Sequence, residues 1–225
     1  WEIRLMEFGE IVSVLLQGAI VTIEIVAMAL PLAVLMAFSF GLIRLYAPAP
    51  FKQIAIVYIE FFRGTSALIQ LYWIYFVLPF FGITIDAMTA AVVALGLNIG
   101  AYGTEVVRGA IQSVPKGQYE ASIALNFTAS QRLWRIIMPQ ALVNMIPPFG
   151  NLAIELVKAT SLVSLITIGD LTFKAKMLAD TTLQVGEIFG VVLLFYFVMA
   201  QFLVFFIRRL ETHLSKGLGR GGLHS

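Results

Sequence analysis

IVSVLLQGAIVTIEIVAMALPLAVLMAFSFGLI, residues 11–43, holds a single ionisable side chain, Glu24. A helix that crosses a bilayer needs about 20 mostly apolar residues, because the hydrocarbon core is about 30 Å thick. Ile11–Ile43 exceeds that length, so it reads as a membrane span that tilts or lays its first turns at the interface. It does not read as a signal peptide. Acidic Glu2, Glu7 and Glu10 stand in front of it, and its apolar stretch is longer than the roughly 7–15 residues of a signal core. A chain opening on Trp1 is expected to have had its true start trimmed.

Uncharged runs at 64–85, 87–104, 136–154 and 188–207 supply four more spans. The second is expected to share one helix with the apolar residues before it, from about Gln53, and the fourth to run on past Lys158. Composition agrees: 60% of the 225 residues are hydrophobic and 12% are charged, against roughly 25% charged in soluble domains. Mean hydropathy is +0.91. These values exclude a disordered chain and a secreted disulfide scaffold. A net charge of +2 argues against a polyanionic partner, so no nucleic-acid binding is expected. With no cysteine there are no disulfides, thiolate metal sites or cysteine nucleophiles.

Five spans put the termini on opposite sides, and the positive-inside rule chooses between them. With the C-terminus cytoplasmic, ten basic residues fall inside: Arg44, Lys52, Arg108, Lys116, Arg132, Arg135, Arg208, Arg209, Lys216 and Arg220. Arg4, Lys174 and Lys176 fall outside, while Arg63 and Lys158 lie within spans. The expected topology is N-terminus out, C-terminus in. Residues 1–212 then form one transmembrane domain, and 213–225 a flexible cytoplasmic tail.

The one sizeable polar segment, about 113–135, lies between the third and fourth spans on the cytoplasmic side. Ser113-Val114-Pro115-Lys116-Gly117-Gln118 signals a turn, and Ile123, Phe127 and Trp134 then recur at roughly helical spacing among polar residues. A short amphipathic helix under the membrane fits this pattern.

Ionisable residues at membrane depth are costly and become candidates for function. Glu60/Arg63, Glu105/Arg108 and Glu155/Lys158 stand three apart, on one helix face, where each pair can neutralise itself. Glu24 has no neighbouring base, so it is expected to face another helix or a polar cavity, or to be protonated. Asn98, Tyr102 and Glu105 form a polar stripe on the third span. Arg63, Thr65, Ser66 and Gln70 add polarity to the second, and Lys158, Thr160 and Ser161 to the fourth. Together they outline a polar path, with Glu24, Arg63, Gln70, Asn98, Glu155 and Lys158 as its candidate residues. Pro147-Pro148, followed by Gly150, is expected to break the fourth span.

No phosphate-binding loop, His-Glu-x-x-His or Gly-x-Ser-x-Gly motif occurs, and the only histidines are His213 and His224. No catalytic, metal-binding or cofactor-binding residue is assigned. From the residues alone two readings stay open. One is a gradient-driven secondary transporter of small polar solutes with Glu24 or Glu155 carrying protons; the other is a non-transporting membrane scaffold.

One set of motifs is more specific. Glu120-Ala121-Ser122, then Asn126, then Ile136-Ile137-Met138-Pro139 resembles the EAA motif of ABC importer permeases, Glu-Ala-Ala, three residues, Gly, nine residues, Ile-x-Leu-Pro. The spacing matches throughout, with Ser122, Asn126 and Met138 departing from the usual residues. Four stretches resemble the polar amino acid uptake permeases: Tyr58-Ile59-Glu60-Phe61-Phe62-Arg63-Gly64-Thr65, Tyr102-Gly103-Thr104-Glu105-Val106-Val107-Arg108-Gly109, Pro139-Gln140-Ala141, and 151–162. The segment 62–70, with Ser66 where relatives commonly have proline, is similar to permeases for ectoine and hydroxyectoine.

The resemblance implies an all-α, type I importer permease with five transmembrane helices and a cytoplasmic coupling helix between the third and fourth. It implies that Gly117, Glu120, Ala121, Ser122, Asn126 and Pro139 belong to the coupling segment. The implied partners are a second permease, homologous or identical, two cytoplasmic ATPase subunits that bind ATP and Mg, and a periplasmic or lipid-anchored binding protein. The implied setting is the bacterial inner membrane, and the implied cargo a polar amino acid or a small zwitterion such as ectoine.

Overall fold

In the computed structural model, residues 8–216 are described, with side chains as far as His213. They are helical almost throughout. Four long apolar helices, Phe8–Tyr46, Ala87–Gln112, Ala129–Ile166 and Val185–His213, can each cross a membrane, and the bent pair Ala49–Gly64 and Ala67–Phe81 makes a fifth passage. Five passages agree with the five apolar runs.

Helix α1, Phe8–Tyr46, has Glu10 in its first turn and Arg44 in its last, each opposing the helix dipole. It packs lengthwise on α4, Ala87–Gln112, through small residues. A Cβ added at Gly100 would lie 2.8 Å from the Met36 Cβ, and one at Gly103 would lie 2.7 Å from the Ala37 Cβ. In a bilayer, where lipid is as apolar as leucine, such close backbone approach is a main source of helix association. Asp86 caps α4 by accepting from the Thr89 amide at 2.9 Å.

The second passage corrects the sequence-based expectation of one continuous helix from about Gln53. Helix α2, Ala49–Gly64, stops, the chain turns by 105°, and α3, Ala67–Tyr72, resumes. It continues as a wide π turn, Trp73–Val77, and a 3-10 turn, Leu78–Phe81. Gly64 favours the coil entropically, and Thr65 and Ser66 adopt extended backbone angles. The Phe62 and Thr65 carbonyls at the break accept from side chains described below.

Helix α5, Lys116–Ala124, is followed by Asn126 at φ 57°, the left-handed turn that stops it. Thr128 then caps α6, Ala129–Gln131, in a reciprocal capping box with Gln131. A π turn, Arg132–Ile137, leads into α7, Met138–Ala159. Contrary to expectation, Pro147-Pro148 do not break the span; both lie inside α7. Proline's fixed φ is itself helical, and the neighbouring helices of a bundle compensate for the missing amides. The irregular turn instead lies just ahead of Pro139, whose ring displaces the helix partner of the Arg135 carbonyl.

A 3-10 turn, Thr160–Ile166, ends the passage. The stretch after it, expected as an outside loop, forms helix α8, Leu171–Thr182. Leu171, Ala175, Leu178 and Ala179 are buried against Ile11, Leu15 and Ala19 of α1 and against Ile188 and Val191 of α9. That burial selects a helix where polar content suggested a loop. Helix α9, Val185–Lys216, takes in His213–Lys216, the start of the expected tail; residues 217–225 lie outside the described residues.

Candidate functional site

A cavity of about 540 Å³ opens at the break between α2 and α3. The break contributes Thr65, Ser66 and Ala67; α4 contributes Asn98, Ile99 and Tyr102. Helix α7 and the turn after it contribute Leu152, Glu155, Lys158, Ala159, Ser161 and Leu162. A wall with one acid, one base, several neutral polar groups and apolar patches suits a small solute bearing both charges.

Glu155 and Lys158 are exposed in this cavity, and among the described residues neither forms an ion pair. The spacing that allowed self-neutralisation does not produce it here. Both groups are left for something else to bind. Glu60 and Arg63 form no ion pair either; the Arg63 guanidinium lies 5.4 Å from the centre of the Tyr102 ring.

Asn98 and Gln70 are spent on the helix break itself. Gln70 Nε2 donates to the Phe62 carbonyl at 2.9 Å, to the Thr65 carbonyl at 3.2 Å and to Thr65 Oγ1 at 2.7 Å. Asn98 Nδ2 donates to the same Phe62 carbonyl and to Gln70 Oε1, each at 3.0 Å. Two amides thus satisfy the carbonyls that the bend orphans, which at membrane depth no water would do. Asn98 still borders the cavity, whereas Gln70 lies behind it, on an apolar groove in the bend.

Glu24 is not among the residues lining the cavity. It lies exposed on α1, without a side-chain hydrogen bond or ion pair within the described residues. Glu105, by contrast, is bound twice: Arg44 of α1 and Arg108 of its own helix both contact its carboxylate, the latter at 2.7 Å. Arg44 lies 61 residues away in sequence, so no spacing rule could reveal it. The cavity's Leu152, Ala159 and Leu162 were legible in principle, standing three before and four and seven after Glu155.

At the far end of α7, the motif residues are gathered in one exposed unit. Gly117, Glu120, Ala121, Asn126 and Pro139 are exposed, and Ser122 is the inward residue, its hydroxyl donating to the Tyr119 carbonyl at 2.6 Å. Arg132 packs over the Tyr119 ring, 4.2 Å from its centre, and so ties α5 to the π turn. Ile123, Leu125 and Trp134 stay half or more exposed, an apolar face without cover among the described residues.

Residues 12–219 match the family described as binding-protein-dependent transport system inner membrane component. The chain belongs to that family. The permease is 44% identical over 220 residues to a probable amino-acid ABC transporter permease, y4tF, of Sinorhizobium fredii, covering 95% of this chain and 92% of the relative. It is 35% identical to the glutamine transport permease GlnP of Escherichia coli, over 90% of this chain and 94% of that one. To the L-cystine permease TcyB of Bacillus subtilis it is 33% identical, over 96% and 93%. A crystal structure of an amino acid ABC transporter with histidines superposes with a TM-score of 0.86 at 34% identity, over 93% of the permease and 100% of that chain. The MetNI methionine transporter in an inward-facing form shares the fold, with a TM-score of 0.79 at 19% identity over 93% and 99%.

The permease is thus a multi-pass membrane protein with a type I importer fold, in the class of polar amino acid importer permeases. As in its family, it is the non-catalytic membrane component, with ATP hydrolysis in a separate subunit and a binding protein as a further partner.

Proposed function

We propose that the permease passes a polar amino acid, or a related small zwitterion such as ectoine, through the cavity at the α2–α3 break. The observation that carries this reading is the pair Glu155 and Lys158, opposite charges sharing one cavity without pairing with each other. Glu155 meets the substrate ammonium and Lys158 its carboxylate. Thr65, Ser66 and Tyr102 supply neutral hydrogen-bonding groups, and Asn98 holds the wall in place. A net-neutral site with separated charges favours net-neutral substrates, as the glutamine and cystine permeases among the relatives suggest.

In this reading the N-terminus is outside, α5 and α6 are cytoplasmic, and the setting is the bacterial inner membrane. Two permeases, alike or identical, stand side by side, each above one ATPase subunit that holds ATP and Mg. Gly117, Glu120, Ala121, Ser122, Asn126 and Pro139 form the segment that the ATPase grips, with Ile123, Leu125 and Trp134 as its apolar face. A periplasmic or lipid-anchored binding protein delivers substrate from outside.

The test is uptake into proteoliposomes holding the permease, its ATPase and its binding protein. Glu155→Gln and Lys158→Met should each lower uptake of labelled zwitterionic amino acid. Glu120→Arg should abolish uptake and substrate-stimulated ATP hydrolysis while leaving expression intact. Uptake driven by a proton gradient without ATP would overturn the reading.

A further inference from the structure

Helices α7 and α9 touch where a Cβ added at Gly150 would lie 2.8 Å from Ile207 Cγ2. Beside that contact a cavity of about 250 Å³ opens between the two helices. Asn151 and Ile154 of α7 border it, as do Val204, Arg208 and Glu211 of α9. It shares no lining residue with the cavity at the α2–α3 break. Arg208 is the first charged side chain after the uncharged run 188–207, so this second cavity lies where the span meets water.

Among the described residues, three polar side chains of this cavity have no partner. Arg208 and Glu211 stand three apart, a spacing that permits an ion pair, yet neither forms one. Asn151 makes no side-chain hydrogen bond either. Arg209 differs: its guanidinium lies 4.9 Å from the centre of the Phe205 ring, and it does not line the cavity. Along α9 the lining groups follow an order. Val204 and Ile207 come first, on the membrane side, then cationic Arg208, then anionic Glu211 about 4.5 Å nearer to water. Apolar, positive, negative is the complement of a phospholipid that carries an amine, which presents acyl ester, phosphate and ammonium in that order.

We propose that this cavity binds the headgroup of an amino phospholipid, a phosphate diester joined by a short methylene link to a primary ammonium. The Arg208 guanidinium donates to the phosphate oxygens in the forked geometry that suits them. The Glu211 carboxylate accepts from the ammonium, a bond that a quaternary amine, with no N–H, does not offer. The Asn151 amide donates to an ester or phosphate oxygen. About 250 Å³ equals roughly eight waters at about 30 Å³ each, room for a headgroup and not for acyl chains. Those chains run past Val204 onto the membrane face of α9, where Phe202 and Phe205 are exposed. A soluble phosphoamine has no chains to lay there, so the occupant is a lipid. The inference rests on α9 crossing the membrane and is independent of the cavity at the α2–α3 break and of the coupling segment.

The test adds phosphatidylethanolamine, phosphatidylcholine or phosphatidylglycerol, all with identical acyl chains, to the transporter of permease and ATPase in detergent. Mass spectrometry of the intact complex counts the last lipids retained as detergent is raised. The ethanolamine lipid should be held about tenfold more tightly than the other two. Glu211→Gln should abolish that preference, and Glu211→Lys should turn it toward the glycerol lipid. Arg208→Gln should lower retention of all three, while Arg209→Gln should leave their order unchanged. Soluble glycerophosphoethanolamine should fail to displace the lipid. Equal retention of the three lipids by the parent, a preference that survives both Glu211 variants, indifference to Arg208→Gln, or displacement by the soluble headgroup would each overturn the proposal.

Discussion

Asn98 of α4 donates its amide to the carbonyl of Phe62, 3.0 Å away, at the last turn of α2. A side chain on one helix thereby closes the end of another, and the cavity exists because that end is closed. Gln70 serves the same carbonyl at 2.9 Å, so the two amides act as one unit.

Removing either amide should loosen the break rather than the substrate contact. Asn98→Ala is expected to cost about 1–3 kcal/mol, the penalty for a buried polar group left unsatisfied. Because the partners are shared, Asn98→Ala with Gln70→Ala should cost less than the sum of the two. Thermal unfolding of the detergent-solubilised permease checks both, and additive losses would contradict the shared network.

Glu105 holds Arg44 and Arg108, and the three side chains are between a fifth and a third exposed. Glu105→Gln should therefore destabilise by about 1 kcal/mol after solvent screening. The loss should shrink as salt is added, since part of the attraction is already screened in the parent. Unfolding temperatures of both proteins at low and high sodium chloride measure this.

Asp170 lies between the last turn of the fourth passage and α8, outside the spans. Burial pushes its carboxyl up from 3.8 to about 6, even though it accepts the Thr172 and Phe173 amides and faces Lys176. A carboxyl raised on folding binds its proton more tightly in the folded state than in the unfolded state. Stability should therefore fall as pH rises from about 4 to about 6, then level off. Asp170→Asn, which keeps a cap, should flatten that slope; an unchanged slope would show that another group is responsible.

Asn126 sits at φ 57°, where a branched side chain strains the backbone by about 1–2 kcal/mol. Asn126→Gly should leave uptake near the parent's, while Asn126→Val should lower both uptake and the stimulation of ATP hydrolysis by substrate. Equal activity in the two variants would separate this turn from coupling.

The five passages were legible because hydropathy integrates over whole turns, and 11–43 alone carries enough of it. The EAA spacing located the α5–α6 unit for the same reason, as a pattern local in sequence. The 105° bend was not legible: Phe62 and Leu71 on either side are as apolar as any continuous span, and hydropathy does not register a backbone turn at Thr65. Nor was α8, whose Lys174, Lys176 and Asp180 suggested solvent while Leu171, Ala175 and Leu178 were destined for α1 and α9. The double prolines misled in the other direction, since their φ suits the helix they were expected to break. Glu155 and Lys158 were found together, but only the folded cavity reveals that they leave each other unpaired.

The unbroken run of α7 through Pro147 and Pro148 has a mechanical meaning. The rod that starts against the π turn beside α5 is the rod that carries Glu155, about 26 Å further along, with no loop between. In the proposed function, a push on the α5–α6 unit therefore arrives at the cavity as a rigid stroke, like a piston against a valve seat. The compliance lies at its two ends, in the wide turn at Arg132–Ile137 and the tightened one at Thr160–Ile166.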